Sequence, residues 1–137
     1  MTEIPKELRY TKDHEWARSL SGSAGSGGTV IEVGVTRYAV EQLGDVTLVD
    51  LPAVGASIES HQRFGDIESV KTVSELFAPV GGEVLAINEQ LRDQPELVND
   101  NCYEAGWMVR IKVASSAEFE ALMDAAQYQA YLGTLDH

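Results

Sequence analysis

Short runs in which apolar and polar residues alternate, separated by Gly and Pro, make up most of this chain. Alternation with a period of two indicates β-strands that bury one face. The runs cover residues 8–18 (interrupted by a turn), 29–35, 46–51, a short stretch about 58, 64–69, 72–77, 83–88 and 107–113. Turn-forming residues punctuate them, namely Pro52, Gly55, Pro79, Gly81 and Gly82. The pattern therefore predicts a mainly β fold.

Two short helical segments are predicted between the strands. Thr36 can cap a helix over residues 37–43, and Gly44 is placed to end it. Further along, residues 94–98 predict one helical turn with Pro95 at its first position.

The end of the chain predicts a longer helix. Ser115 and Glu118 form a capping-box pattern ahead of an amphipathic segment, which predicts a C-terminal helix over about residues 116–132, ended by Gly133. Residues 19–28 are mostly Gly and Ser and predict a flexible loop. This loop lacks the Gly-Lys-Ser/Thr ending of a phosphate-binding loop, so it does not predict a nucleotide site.

Length and composition fit one domain, covering residues 1–137, with a core of its own. The hydrophobic fraction of 44% and the charged fraction of 23% are those of an ordinary globular protein. No apolar stretch approaches membrane-spanning length, and residues 1–7 lack the pattern of a secretory signal. A single cysteine, Cys102, cannot form an internal disulfide. We therefore expect a soluble protein of the bacterial cytoplasm or, as a processed eukaryotic form, of the mitochondrial matrix.

Charge narrows the classes of partner. Asp and Glu together number 22 against 10 Lys and Arg, for a formal net charge of -12. Such a charge repels phosphate backbones and anionic lipids, so no nucleic acid or membrane partner is expected. It favours partner proteins that present basic surfaces. The alternative is that the acidity only aids solubility.

Lys71 is the residue whose surroundings indicate chemistry. It lies between two apolar runs that are predicted to pair as a hairpin over about residues 64–79, with the lysine at the tip. An enzyme that modifies an amine needs such an exposed and firmly held position. Asp66, Glu68 and Glu75 add negative charges that a partner could recognise. The alternative is a solvated turn lysine with no modification.

The wider sequence resembles the glycine cleavage system H-protein family. The segment that carries Lys71 resembles the family's lipoyl-attachment hairpin, in the run Glu68-Ser69-Val70-Lys71 and in Ser74, Ala78, Pro79 and Gly82. Other matching blocks follow in the same order along the chain: His14-Glu15-Trp16, Gly34-Val35-Thr36, Gln42-Leu43-Gly44-Asp45, Pro95-Glu96-Leu97-Val98-Asn99 and Gly106-Trp107-Met108. Biotin carriers place methionines on both sides of their lysine. The neighbours here are Val70 and Thr72, which disfavours biotin.

The resemblance implies a barrel-sandwich hybrid fold of the lipoyl/biotinyl type and a carrier without catalytic activity. Lipoic acid would be attached covalently to Lys71. The implied partners are a pyridoxal-phosphate glycine decarboxylase, a tetrahydrofolate-dependent aminomethyltransferase, dihydrolipoamide dehydrogenase and a lipoate-attaching enzyme. In the family the loaded arm folds back into a cleft. Glu15 and Glu75 match positions that line this cleft, and Tyr38 matches a position near the bound arm.

Two alternatives to this function stay open. One is an H-like protein that mainly relays lipoyl groups to other complexes, and the other is a structural adaptor with an unmodified lysine. An enzyme is the weakest interpretation, since no hydrolase triad is apparent and the three histidines are scattered without zinc-site spacing. Of these, His14 is predicted to have a packing or hydrogen-bonding role.

Overall fold

A computed structural model describes residues 4–20, 29–113 and 117–135 and arranges most of them around two antiparallel sheets. The larger sheet has six strands, which in spatial order are β1 (Arg9–Tyr10), β2 (Glu15–Ser19), β3 (Thr29–Val35), β9 (Val109–Val113), β8 (Gly82–Ile87) and β5 (Ser57–Ile58). The smaller sheet consists of β4 (Val46–Asp50), β6 (Arg63–Ser69) and β7 (Val73–Phe77). The predicted mainly β class is confirmed. The largest error in a strand boundary is at β9, which begins at Val109 rather than at residue 107.

The core is formed by the apolar faces of these strands. Trp16 is fully buried and donates a hydrogen bond from Nε1 to the Cys102 carbonyl at 2.9 Å. The indole lies so close to Gly34 of the adjacent strand that a Cβ there would be 2.7 Å from the ring. Only glycine fits this contact, since atoms at that distance overlap. The close approach fixes β2 against β3, which positions the residues that precede β2.

Within the residues that the structure describes, five helices connect or follow the strands: α1 (Arg37–Leu43), α2 (Gln90–Asp93), α3 (Leu97–Asp100), α4 (Ala117–Glu120) and α5 (Ala125–Leu135). The first agrees with its prediction, because the Thr36 side chain accepts from the Ala39 N–H at 3.3 Å and Gly44 ends the helix with φ of 81°. The predicted turn over residues 94–98 lies later, at α3, with Pro95 ahead of it. Sequence reasoning did not predict α2.

The prediction of one C-terminal helix over residues 116–132 is wrong. The segment forms α4 and α5, which are separated by a stretch that pairs with β1. In that stretch the backbone of Met123 exchanges two hydrogen bonds with Tyr10, at 2.8 and 3.0 Å. Asp124 and Gln127 then form a reciprocal capping box, with bonds of 2.8 and 2.9 Å, that starts α5. Gly133 lies inside α5 and does not end it.

Two other sequence predictions fall partly outside the residues that the structure describes. Ser19, predicted as the first loop residue, belongs to β2, and residues 21–28 of that loop lie outside the described ranges. Ser115 of the predicted capping box also lies outside them. Within the described ranges no helix is long and apolar enough to cross a membrane.

Candidate functional site

The tip of the β6–β7 hairpin is a tight turn held by one serine. The Ser69 N–H donates to the Thr72 carbonyl at 2.8 Å, and Ser69 Oγ accepts from the N–H groups of Lys71 and Thr72 at 3.2 Å each. The Val70 N–H donates to the Asp45 carbonyl at 3.0 Å, which fastens the turn to the chain entering β4. These bonds fix the backbone of Lys71 although its side chain is exposed.

Exposure alone does not distinguish this lysine, because all four lysines of the chain are exposed. Lys71 differs from the other three lysines because it lies at the tip of a hairpin and because its side chain runs over Gly44. A Cβ added at Gly44 would lie 3.0 Å from Lys71 Cε and 3.9 Å from Nζ, so the lysine stem passes directly over this glycine. The absence of a side chain at the end of α1 therefore leaves a path for the stem.

Carboxylates form a row across the outer face of the small sheet. Asp50, Asp66 and Glu75 are register partners on β4, β6 and β7. Like charges at paired positions destabilise a sheet. Arg63 offsets part of this repulsion, since its Nε lies 3.1 Å from Asp66 and 3.6 Å from Glu75, and the pKa of Arg63 is raised chiefly by the bond to Asp66. Glu68 follows in the next row, opposite Val73.

A cleft of about 280 Å³ begins beside the lysine, at Thr72. The hairpin forms one wall and α1 forms the other, and the turn before β2 closes one end. Tyr38 and Glu75, both predicted as cleft residues, line it. Asp13 and His14 also line it, and sequence reasoning assigned neither of them to the cleft.

Glu15, the third predicted cleft residue, is not among the residues that line this cavity. Its side chain is only 1% exposed, since it lies between the sheets. Oε2 accepts from the Phe77 N–H at 2.8 Å and Oε1 lies 3.1 Å from Thr11 Oγ1. Burial raises the pKa of Glu15 to about 8, although the bonds to Phe77 and Thr11 oppose the rise. In this structure Glu15 therefore anchors the end of β7, and at neutral pH it is largely uncharged.

His14 connects the cleft to the C-terminal helix. Its backbone is left-handed, with φ of 67°, and its carbonyl accepts from the Thr36 N–H at 3.0 Å. The ring is half-buried, lies 4.6 Å from the Tyr38 ring, and places Nδ1 2.9 Å from Tyr128 Oη. The predicted packing or hydrogen-bonding role of His14 agrees with these contacts.

Two antiparallel sheets that enclose one core, with a lysine at the tip of a protruding hairpin beside a cleft, define a barrel-sandwich domain of the carrier type. The chain belongs to the glycine cleavage H-protein family, whose model matches residues 8–134.

Individual relatives cover nearly the whole chain. A glycine cleavage system H protein of Bacillus cytotoxicus is 47% identical over 125 residues, which are 91% of this chain and 93% of that protein. One from Anaeromyxobacter sp. (strain K) is 48% identical over 130 residues, covering 95% and 96%. A crystal structure of a glycine cleavage system H protein from Mycobacterium marinum superposes with a TM-score of 0.83 at 36% identity, covering 95% of this chain and 99% of that one.

Proposed function

We propose that this protein is the lipoyl-bearing carrier of a glycine cleavage system and that lipoic acid is attached to the Lys71 amine. The observation that carries the proposal is the position of Lys71 on a turn that Ser69 and the Asp45 carbonyl hold, next to a cleft. Membership of the H-protein family supports the same function. When attached, the lipoyl group supplies a disulfide that accepts the aminomethyl group of decarboxylated glycine.

The residues present fit a lipoyl arm. The amine is free to enter the active site of an attaching enzyme, and Gly44 allows the stem to lie along the end of α1. The cleft offers apolar side chains suited to a hydrocarbon arm, and Tyr38 and Glu75 add polar groups. Asp13 and Glu75 are both exposed and both line the cleft, so their carboxylates are suited to attract the cationic amine of a loaded arm.

The carrier serves enzymes that contact the hairpin in turn. We infer a pyridoxal-phosphate glycine decarboxylase, a tetrahydrofolate-dependent aminomethyltransferase, dihydrolipoamide dehydrogenase and a lipoate-attaching enzyme as partners. The row formed by Asp50, Asp66 and Glu75 suits basic surfaces on such enzymes. The carrier itself supplies no catalytic group in this scheme. We infer a bacterial cytoplasmic location for this carrier, which the bacterial origin of the relatives supports.

A reconstituted assay tests the proposal against an adaptor with an unmodified lysine. Lys71→Arg keeps the charge and the turn but removes the amine that lipoate needs. We expect this variant to melt within about 1 °C of wild type, because the side chain is exposed, and to support no NADH formation from glycine, tetrahydrofolate and NAD with the three partner enzymes. Lys112→Arg, an exposed lysine on β9, is the matched control and should keep full activity. Wild-type activity in Lys71→Arg would overturn the proposal.

A further inference from the structure

A series of two side-chain hydrogen bonds, one buried and one partly buried, links the C-terminal helix to the wall of the cleft. Tyr128 of α5 is fully buried, and its Oη lies 2.8 Å from Thr36 Oγ1 and 2.9 Å from His14 Nδ1. Its ring stacks on Tyr10, with 4.7 Å between centroids and 6° between planes. Attachment of a lipoyl group to the hairpin makes no use of this tyrosine, so its hydroxyl needs a separate explanation.

The hydroxyl groups of Thr36 and Tyr128 each have one proton to donate, which determines the direction of the two hydrogen bonds. Thr36 is fully buried, and its Oγ1 already accepts from the Ala39 N–H. Its one hydroxyl proton must therefore go to Tyr128 Oη, since a buried donor without an acceptor is unfavourable. Tyr128 then gives its own proton to His14 Nδ1. In the opposite direction Thr36 would accept twice, and its proton would have no acceptor in this series.

The protonation of the two rings agrees with this direction. Burial raises the pKa of Tyr128, so the hydroxyl keeps its proton. Burial also lowers the pKa of His14, by more than neighbouring Asp13 raises it, so the imidazole is neutral near pH 7. A neutral imidazole that accepts at Nδ1 carries its proton on Nε2.

We propose that Tyr128 is a positioning residue that holds His14 as the neutral Nε2–H tautomer, so that His14 donates a hydrogen bond to an acceptor atom of the lipoyl arm in the cleft. The identity of the arm as the ligand rests on the proposed carrier function. Because Nδ1 is bound to Tyr128, the opposite edge of the ring is the edge available to the cleft that His14 lines. The charged residues that line the cleft, Asp13 and Glu75, are acidic, and a neutral donor adds no charge that would repel a cationic loaded arm.

Side-chain ¹⁵N NMR of the unlipoylated protein at pH 7 tests the tautomer directly, with His14 assigned from the signals that His14→Gln removes. We expect an unprotonated Nδ1 and a protonated Nε2 in wild type. A protonated Nδ1 would overturn the proposal. Tyr128→Phe keeps the stacked ring and should give a mixture of tautomers. Tyr131→Phe is the matched control, because this tyrosine lies on the same helix and its hydroxyl donates to the Lys12 carbonyl at 3.4 Å. It should keep the wild-type pattern, and the same pattern in Tyr128→Phe would also overturn the proposal.

A second readout uses the lipoylated protein after loading by the decarboxylase with glycine. Loss of one neutral hydrogen bond should speed hydrolytic loss from the loaded arm by about two- to tenfold in Tyr128→Phe. Tyr131→Phe should leave the rate unchanged. An unchanged rate in Tyr128→Phe would overturn the contact with the arm. Failure of wild type to accept lipoate would overturn the carrier function and the arm contact together, whereas the tautomer of His14 would still decide the role of Tyr128.

Discussion

Glu15→Gln is expected to change how stability depends on pH. The carboxyl group is 1% exposed, and burial raises its pKa from an ordinary 4.5 to about 8. A glutamine can keep an oxygen that accepts from the Phe77 N–H at 2.8 Å, and it does not titrate. Its NH2 then faces Thr11 Oγ1, which donates to Glu15 Oε1 in the wild type, so that second bond is lost. The variant therefore removes the ionisation and leaves the shape and the bond to Phe77, and the lost bond to Thr11 lowers stability by the same amount at every pH.

The direction of the effect follows from proton uptake. Between pH 4.5 and 8 the folded protein holds a proton on Glu15 that the unfolded chain has released, so stability falls as the pH rises through this window. The contribution of the neutral carboxyl is fully present below about pH 4.5 and is lost above about pH 8. The interval of 3.5 pH units, from 8 minus 4.5, sets a ceiling of about 5 kcal/mol. Relaxation of the protein around the charged carboxylate makes the true effect smaller than this ceiling, so we expect the free energy of unfolding to fall by about 2–4 kcal/mol across the window.

Urea unfolding followed by tryptophan fluorescence at pH 5 to 9 measures this difference. Wild type should lose stability relative to Glu15→Gln as the pH rises, whereas titration of His14 affects both proteins equally and cancels in the comparison. Glu83→Gln, at an exposed position of β8, controls for the loss of one carboxylate and should follow wild type. Parallel curves for wild type and Glu15→Gln across this range would refute the reasoning.

Three further changes probe the support of the hairpin. Gly44→Ala should lower the free energy of unfolding by about 1–3 kcal/mol, because the φ of 81° and ψ of -152° at this position suit glycine alone. Gly133→Ala is the control: this glycine is helical and has open space around its Cβ position, so alanine should raise the free energy of unfolding by up to about 1 kcal/mol. Thermal unfolding compares the two variants, and shifts of the melting temperature with the same sign would contradict the prediction. Asn99→Ala should lower the free energy of unfolding by about 1–3 kcal/mol, because the Asn99 side chain accepts from the first N–H of β4 and donates to the Gly44 carbonyl, at 2.8 Å each. Urea unfolding measures this difference, and a decrease below about 0.5 kcal/mol would contradict the prediction. Ser69→Ala should slow lipoylation of Lys71, because the turn loses the two hydrogen bonds that Ser69 Oγ accepts and the longer one, at 3.4 Å, that it donates to the Thr72 carbonyl. Intact mass over time measures the rate, and an unchanged rate would show that these bonds do not matter for recognition.

Local signals predicted the parts of the fold that local chemistry controls. Alternating apolar residues located the strands, and Thr36 and Gly44 located both ends of α1 because a cap and a positive φ require those residue types. The hairpin that carries Lys71 was also predictable, since two apolar runs flank a short polar turn. The break between α4 and α5 had a readable signal as well, the capping pair Asp124 and Gln127.

Contacts between distant parts of the chain account for what sequence reasoning missed. Met123 leaves the helix because it pairs with Tyr10, more than a hundred residues earlier, and no local pattern encodes that pairing. Glu15 was expected to line the cleft, but the packing of β2 against the small sheet buries it at the end of β7. His14 reaches the cleft through a left-handed backbone and a bond to Tyr128, both of which depend on the assembled fold.

The most direct test of the carrier function is the mass of the protein purified from its native host, followed by peptide mapping. We predict one lipoyl increment, located on Lys71, and none on Lys6, Lys12 or Lys112, although those lysines are also exposed. An unmodified Lys71 in cells that synthesise lipoate would contradict the proposed function and favour an adaptor.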